Sequence, residues 1–267
     1  VTLDSPSLEQ LSAHLKQAVG ENENPHIIIS ADANAEYQNI VTAMDTAQVN
    51  ADVATAAVSV SVGGDINISL AAAVSVATNT INNTVLAHIL DSSLNSGGAL
   101  NISATSDKDI DALGISLAVA VSAGGGTFGL SGAVGVAQAT NTIGGLVQSL
   151  IADADTADGK SILTGGAINI LTDNDSTIDA TLVVIAASIA AGSGTINISL
   201  AGAASVSSNT ITSAVLAGIS NSKVDVTGGV MIDANANSMI NANTVAVGVA
   251  VTAGGTLSLA GAVGVAQ

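Results

Sequence analysis

Residues 111–155 read DALGISLAVAVSAGGGTFGLSGAVGVAQATNTIGGLVQSLIADAD, and parts of this stretch return along most of the 267-residue chain. The string Asn-Thr-Ile begins at Asn79, Asn141 and Asn209, so one unit spans 62 or 68 residues and insertions account for the difference. A fixed period of this size marks a stacked array and outranks a residue-by-residue reading. A second marker is the pair Gly97-Gly98, Gly165-Gly166 and Gly228-Gly229, each followed by a short apolar run and an Asx-rich stretch: ALNISATSDKDIDA, AINILTDNDSTIDA and VMIDANANSMINA. A third is a glycine turn at Gly63-Gly64, Gly124 to Gly126, Gly192 to Gly194 and Gly254-Gly255. These markers divide the chain into a partial repeat over 1–48, repeats over 49–111, 112–179 and 180–241, and a truncated repeat over 242–267. The sequence starts and stops inside units without atypical capping repeats, the expectation for a segment of one continuous elongated array.

Leu113, Ile115, Leu117, Val119 and Val121 alternate with Gly114, Ser116, Ala118, Ala120 and Ser122. This period of two predicts a strand with one large-residue face and one small-residue face. The glycine turn that follows, and the second alternating run beyond it, predict a β-hairpin. Asn79, Asn141 and Asn209 are expected to cap a short helix. Ile81, Val85 and Ile89 recur at i, i+4 and i+8, as do Ile143, Val147, Ile151 and Ile211, Val215, Ile219, so that helix would lay an apolar stripe on the large-residue face. The small-residue face is expected to lie under another sheet layer or another protomer. Alternation changes parity between Ile110 and Leu113, which predicts a bulge or corner at the Asx-rich stretch. At the front, SLEQLSAHLKQAV (7–19) reads as a helix and IIISADANAEYQNI (27–40) as the second half of a unit. The fold class expected is a β-rich, solenoid-like repeat protein whose unit holds a β-hairpin, one short amphipathic helix and an Asx-rich strand corner. A parallel β-helix is the alternative.

Composition narrows the function. Four Lys and Arg against 21 Asp and Glu give a net charge of -17, which leaves nothing to neutralise a nucleic-acid backbone or grip an anionic lipid surface. There is no cysteine, so disulfides, thiolate catalysis and zinc–sulfur sites are excluded. The run from Ala112 to Thr140 carries no charge, yet its alternation and central glycines argue for two strands. With one Tyr and one Phe in the chain, the aromatic girdles of a membrane barrel cannot be built, and no membrane span is expected.

No enzyme chemistry is legible. His14, His26 and His88 sit at unrelated points of the unit, and His88 reads as a core-edge residue. The serines lack a nucleophile elbow, and the glycine-rich segments lack the lysine of a phosphate loop. The Asx-rich stretches do offer hard oxygen donors at alternate positions, which is the chemistry calcium takes. The candidates are Asp107 with Asp109, Asp173 with Asp175, and Asp233 with Asn235, and a further pair is Asp32 with Asn34. The plainer reading of the same residues is solvated turns bonding their own backbone.

The repeated unit, DALGISLAVAVSAGGGTFGLSGAVGVAQATNTIGGLVQSLIADAD in its fullest form, resembles those of very large repetitive bacterial surface and secreted proteins, the adhesin-like or filamentous-haemagglutinin-like exoproteins. The resemblance extends over nearly the whole chain after residue 26. It implies a non-enzymatic structural or adhesive segment, extracellular or on the cell surface, that forms a fibre, stalk or sheath for attachment or cell-to-cell contact. Its partners would be other repeats or a neighbouring cell surface, and no catalytic residue carries over. The alternative function is a calcium-stabilised module that binds glycan or protein.

Overall fold

A computed structural model describes residues 39–154 and 161–267. Those residues form twelve strands: β1 Asn39–Val62, β2 Ile66–Leu90, β3 Leu94–Ser96, β4 Leu100–Gly124, β5 Phe128–Ala152, β6 Ile162–Thr164, β7 Ile168–Gly192, β8 Ile196–Ile211, β9 Ala214–Ser220, β10 Val224–Val226, β11 Val230–Ala253 and β12 Leu257–Ala266. Every pairing is parallel. Sheet one runs β1-β4-β7-β11, sheet two runs β12-β8-β5-β2 with β9 also on β5, and the short strands form a third sheet, β10-β6-β3. Each coil therefore passes along sheet one, turns at the glycines, returns along sheet two and closes through a three-residue strand. The solenoid-like array expected from the repeat is what the chain builds.

Like residues stack on like residues. Asn79 pairs with Asn141 and Asn141 with Asn209, Ile81 with Ile143 and Ile143 with Ile211. The register does not shift along the long strands, and changes in unit length are confined to the connections. Ala152 pairs with Leu90 and Ser220, whereas Ile162 pairs with Leu94 and Val224. The extra residues of the longer unit thus fall between Ala152 and Ile162. Likewise Val62 pairs with Ala123 and Ile66 with Phe128, so the turn at Gly63-Gly64-Asp65 is one residue shorter than the next. Gly63 and Gly64 take φ of 86° and 88° to close it, as Gly254 and Gly255 do at 79° and 88°, a conformation that glycine adopts without a steric penalty.

Three sequence expectations are corrected. The strands flanking each glycine turn do not bond to one another as a hairpin; they enter different sheets, because identical units offer each strand its own copy one coil away. No helix follows the Asn-Thr-Ile string in the described residues. The spacing of four in Ile143, Val147 and Ile151 fits a strand as well as a helix, since it is a multiple of two, and all three side chains are buried on one face of β5. Nor is there a bulge or corner at the Asx-rich stretch, which lies inside β4, β7 and β11. The true corner is at Asp91, Asp153 and Asn221, which share one register position and take positive φ of 50°, 61° and 42°, a backbone region that Asp and Asn tolerate better than most residues. The helix read over 7–19, and Asp32 with Asn34, lie outside the described residues.

The parity change is real but has another meaning. Along β4, Leu100, Ile102 and Ile110 point inward, and so do Ala112, Ala118 and Ala120, with no break in register. The apolar residues change sides while the backbone continues. At the end near β3, β6 and β10 the interior is filled by large side chains, among them Ile102, Val147, Ile151, Ile168 and Ile170. At the glycine-turn end it holds mainly Ala, with Gly and Ser, from both sheets. The small-residue face is covered by the opposite sheet of the same chain. Close approach of the sheets is fixed by serines: Ser69, Ser131 and Ser199, equivalent in three coils, donate across the interior to the backbone oxygens of Ser59, Ala120 and Ser188 at 2.8, 2.8 and 2.7 Å.

Candidate functional site

The residues singled out as oxygen donors lie on the solvent side of sheet one, because odd positions of β4, β7 and β11 point outward. There they form ladders and do not converge. Asp107 stacks on Asp175 and Asp175 on Asn237, whose amide donates to the Asp175 carboxylate at 2.9 Å. Asp173 accepts from Asn235 at 2.9 Å. Asp109 neighbours Thr177 and accepts from Gln48 at 3.3 Å, and Asp233 lies beside Leu171. A calcium site needs six or more oxygens around one point. Among the described residues no three His, Asp or Glu side chains come together in that way. The ladders make a solvated polar surface over one half of sheet one.

Beneath it lies a group that the sequence reading left without a role. Lys108 has no exposed surface. Its even position places it inward beside Ser106 and Ile110, and that parity was the signal available. Its Nζ donates to the Gly144 backbone oxygen at 3.0 Å and to Ser213 Oγ at 3.3 Å. Burial lowers the Lys108 pKa below 10.5, and the charge of Asp45 acts in the opposite direction. Asp45 in turn accepts from Asn83 Nδ2 at 2.7 Å. Sheet two adapts to this polar layer: Gly145 takes φ of 117°, and the strand is interrupted between β8 and β9, where the Thr212 amide bonds to the Ile143 oxygen at 2.8 Å. The layer has its ammonium tied up in hydrogen bonds and is shut between the sheets, so it acts as an internal fastening. His88 is a half-buried side chain whose pKa burial lowers while a hydrogen bond with Gln148 raises it.

The third feature is the exterior of the glycine-turn half. With small residues inside, Val, Ile and Leu face out on both sheets. On sheet one these include Val58, Val60, Ile115, Ile185 and the valines from Val245 to Val251; on sheet two, Ile66, Ile68, Leu70, Val74, Val134, Leu200 and Val263. Neighbouring rows of sheet two alternate in bulk. One row is Leu70, Gly132, Leu200 and Gly261, and the next is Ala72, Val134, Gly202 and Val263. Contiguous exposed apolar area of this extent is rare on monomeric soluble proteins.

The fold is a parallel β-solenoid in which each coil has two long strands in facing sheets and one short closing strand. Among protein families, the profile of the biopolymer transport protein ExbD/TolR matches residues 2–61, the N-terminal part of the chain including nearly all of β1. This corrects the resemblance to adhesin-like, haemagglutinin-like repeats drawn from the sequence: shared pattern of Gly, Ala and Val reflected the packing demands of stacked strands, and the matching family is a different one. Searches of curated proteins and of solved structures returned no match.

Proposed function

We propose that the chain is a structural segment of a longer stack of the same coils, acting outside the cell as part of a sheath. The observation that supports this most directly is the unbroken in-register pairing of successive coils, β1-β4-β7-β11 and β2-β5-β8-β12, which repeats the same ladder from coil to coil. Dimensions favour a sheath over a thin stalk. A 25-residue strand spans about 80 Å, while each coil adds only about 4.8 Å along the stack. A unit of more than 60 residues is thus spent on width. The low content of Lys and Arg and the lack of cysteine suit a protein exported unfolded.

The test is negative-stain electron microscopy of the protein from its native source. Ribbons about 80 Å wide with a fine repeat along their length are the expected result. Isolated single-chain particles in native material would overturn the reading.

A further inference from the structure

We infer that the outer face of sheet two, in its glycine-turn half, binds the same face of a second copy of this chain, so that coils are laminated side by side as well as stacked. The inference deepens the structural reading above and rests on it for the sheet geometry, but concerns a different contact.

The surface is inverted relative to a soluble sandwich. Leu70, Val134, Leu200 and Val263 are 65%, 52%, 50% and 63% exposed, while in β2, β5 and β8 the positions on either side of these rows bury Ala and Ser. Nothing within the described residues covers them. Burying small residues and exposing large ones costs hydrophobic stabilisation unless the large ones are themselves removed from water. The region from Ile66 to Val76 across four strands covers roughly 700 Å² at ordinary strand spacings, close to the ~800 Å² per partner that a specific interface uses.

Relief identifies the occupant. Leu70, Val134, Leu200 and Val263 stand as knobs around a gap at Gly202, while the Leu70 and Leu200 side chains lean over Gly132 and Gly261. A Cβ on Gly202 would meet nothing within 4 Å, which marks that gap as open space. A second copy of the same face, offset by one row, can seat an apolar knob in the Gly202 gap and pack at about 10 Å, as face-to-face sheets do. A lipid surface has no such relief to match. Immersing this face in hydrocarbon would also carry the open strand edges of the stack into a medium that cannot bond them.

The experiment uses sedimentation velocity of the full chain, whose single-chain mass is 25.6 kDa. Wild type is expected at twice that mass or more, and Leu200→Glu at single-chain mass with unchanged β-sheet circular dichroism. Should Leu200→Glu fail to fold, Val134→Lys serves the same purpose. Met239→Glu, exposed on the polar half of sheet one, should leave association intact.

A wild type that stays at single-chain mass at high concentration overturns lamination; so does association that survives both charge substitutions. Flotation of the monomer with phosphatidylcholine vesicles would assign the face to lipid and overturn it too. If circular dichroism showed no sheet at all, the structural reading would fail first, so the two failures are distinguishable.

Discussion

Replacing Asn141 by alanine tests whether the interior ladder stabilises the stack. Asn79 Nδ2 donates to Asn141 Oδ1 at 2.8 Å, Asn141 Nδ2 donates to Asn209 Oδ1 at 2.7 Å, and Asn209 Nδ2 ends the chain on Ser207 Oγ at 2.9 Å. Asn141 is fully buried and Asn79 is 6% exposed. Asn141→Ala therefore strands two partners, the Asn79 amide and the Asn209 oxygen, whereas Asn79→Ala strands only the Asn141 oxygen; Asn209→Ala strands the Asn141 amide and also removes the donor to the half-buried Ser207 hydroxyl. At about 1–3 kcal/mol for each buried group left unpaired, Asn141→Ala should cost about 2–6 kcal/mol and Asn79→Ala about 1–3 kcal/mol. Converting all three to valine removes donors and acceptors together and suits a strand, so the triple variant should cost less than the sum of the three alanine variants. Urea unfolding followed by circular dichroism reads the midpoints, with slopes compared to confirm a common transition. The reasoning is refuted if Asn141→Ala is no more damaging than Asn79→Ala, or if the triple valine variant costs the full sum.

Two further outcomes follow from the polar layer. In the folded chain, burial lowers the Lys108 pKa below 10.5; between that lowered value and 10.5 the unfolded chain binds more protons, so stability should rise with pH across this window, and Lys108→Met should flatten the rise in melting temperature measured between neutral and alkaline buffer. Gly145 sits at φ 117°, where an added Cβ would run into the Asn83 backbone oxygen, so Gly145→Ala should destabilise by about 3 kcal/mol or more, whereas Gly202→Ala should leave the thermal melting of the dilute protein unchanged.

Much of the architecture was legible in the sequence. The Asn-Thr-Ile string and the glycine markers fix the period, and a period fixes stacking, since each unit finds in its copy a partner with the same pattern. What periodicity could not say was how each unit is wound. Ile143, Val147 and Ile151 satisfy strand and helix alike, and glycines at a turn look the same whether the flanking strands bond to each other or face each other from two sheets. Alternation from Leu113 to Val121 showed two faces without showing which is inside. That choice depends on the opposite sheet, whose serines reach backbone oxygens only if small residues line the gap. The donor residues were visible as a pattern of Asp and Asn, but their separation into ladders follows from the register, which places Asp109 beside Thr177 and Asp233 beside Leu171. Lys108 stands inside an Asx-rich stretch and shows no motif of its own; the even parity it shares with Ile102 and Ile110 is what places it inside.

The long uninterrupted strands also determine how the molecule would answer a pull. The covalent chain runs across the stack and passes from one coil to the next at a single corner, so along the stack axis neighbouring coils are joined almost wholly by hydrogen bonds. Two 25-residue strands per coil place on the order of fifty such bonds side by side at each junction. Tension spread evenly over the width must break them together, but tension applied at one corner can break them in turn, like a seam opening from its end. The material is therefore strong against uniform stretching and weak against tearing, and the buried layer around Lys108 lies partway along the seam, where a spreading tear would have to unpair a buried ammonium ion before going on.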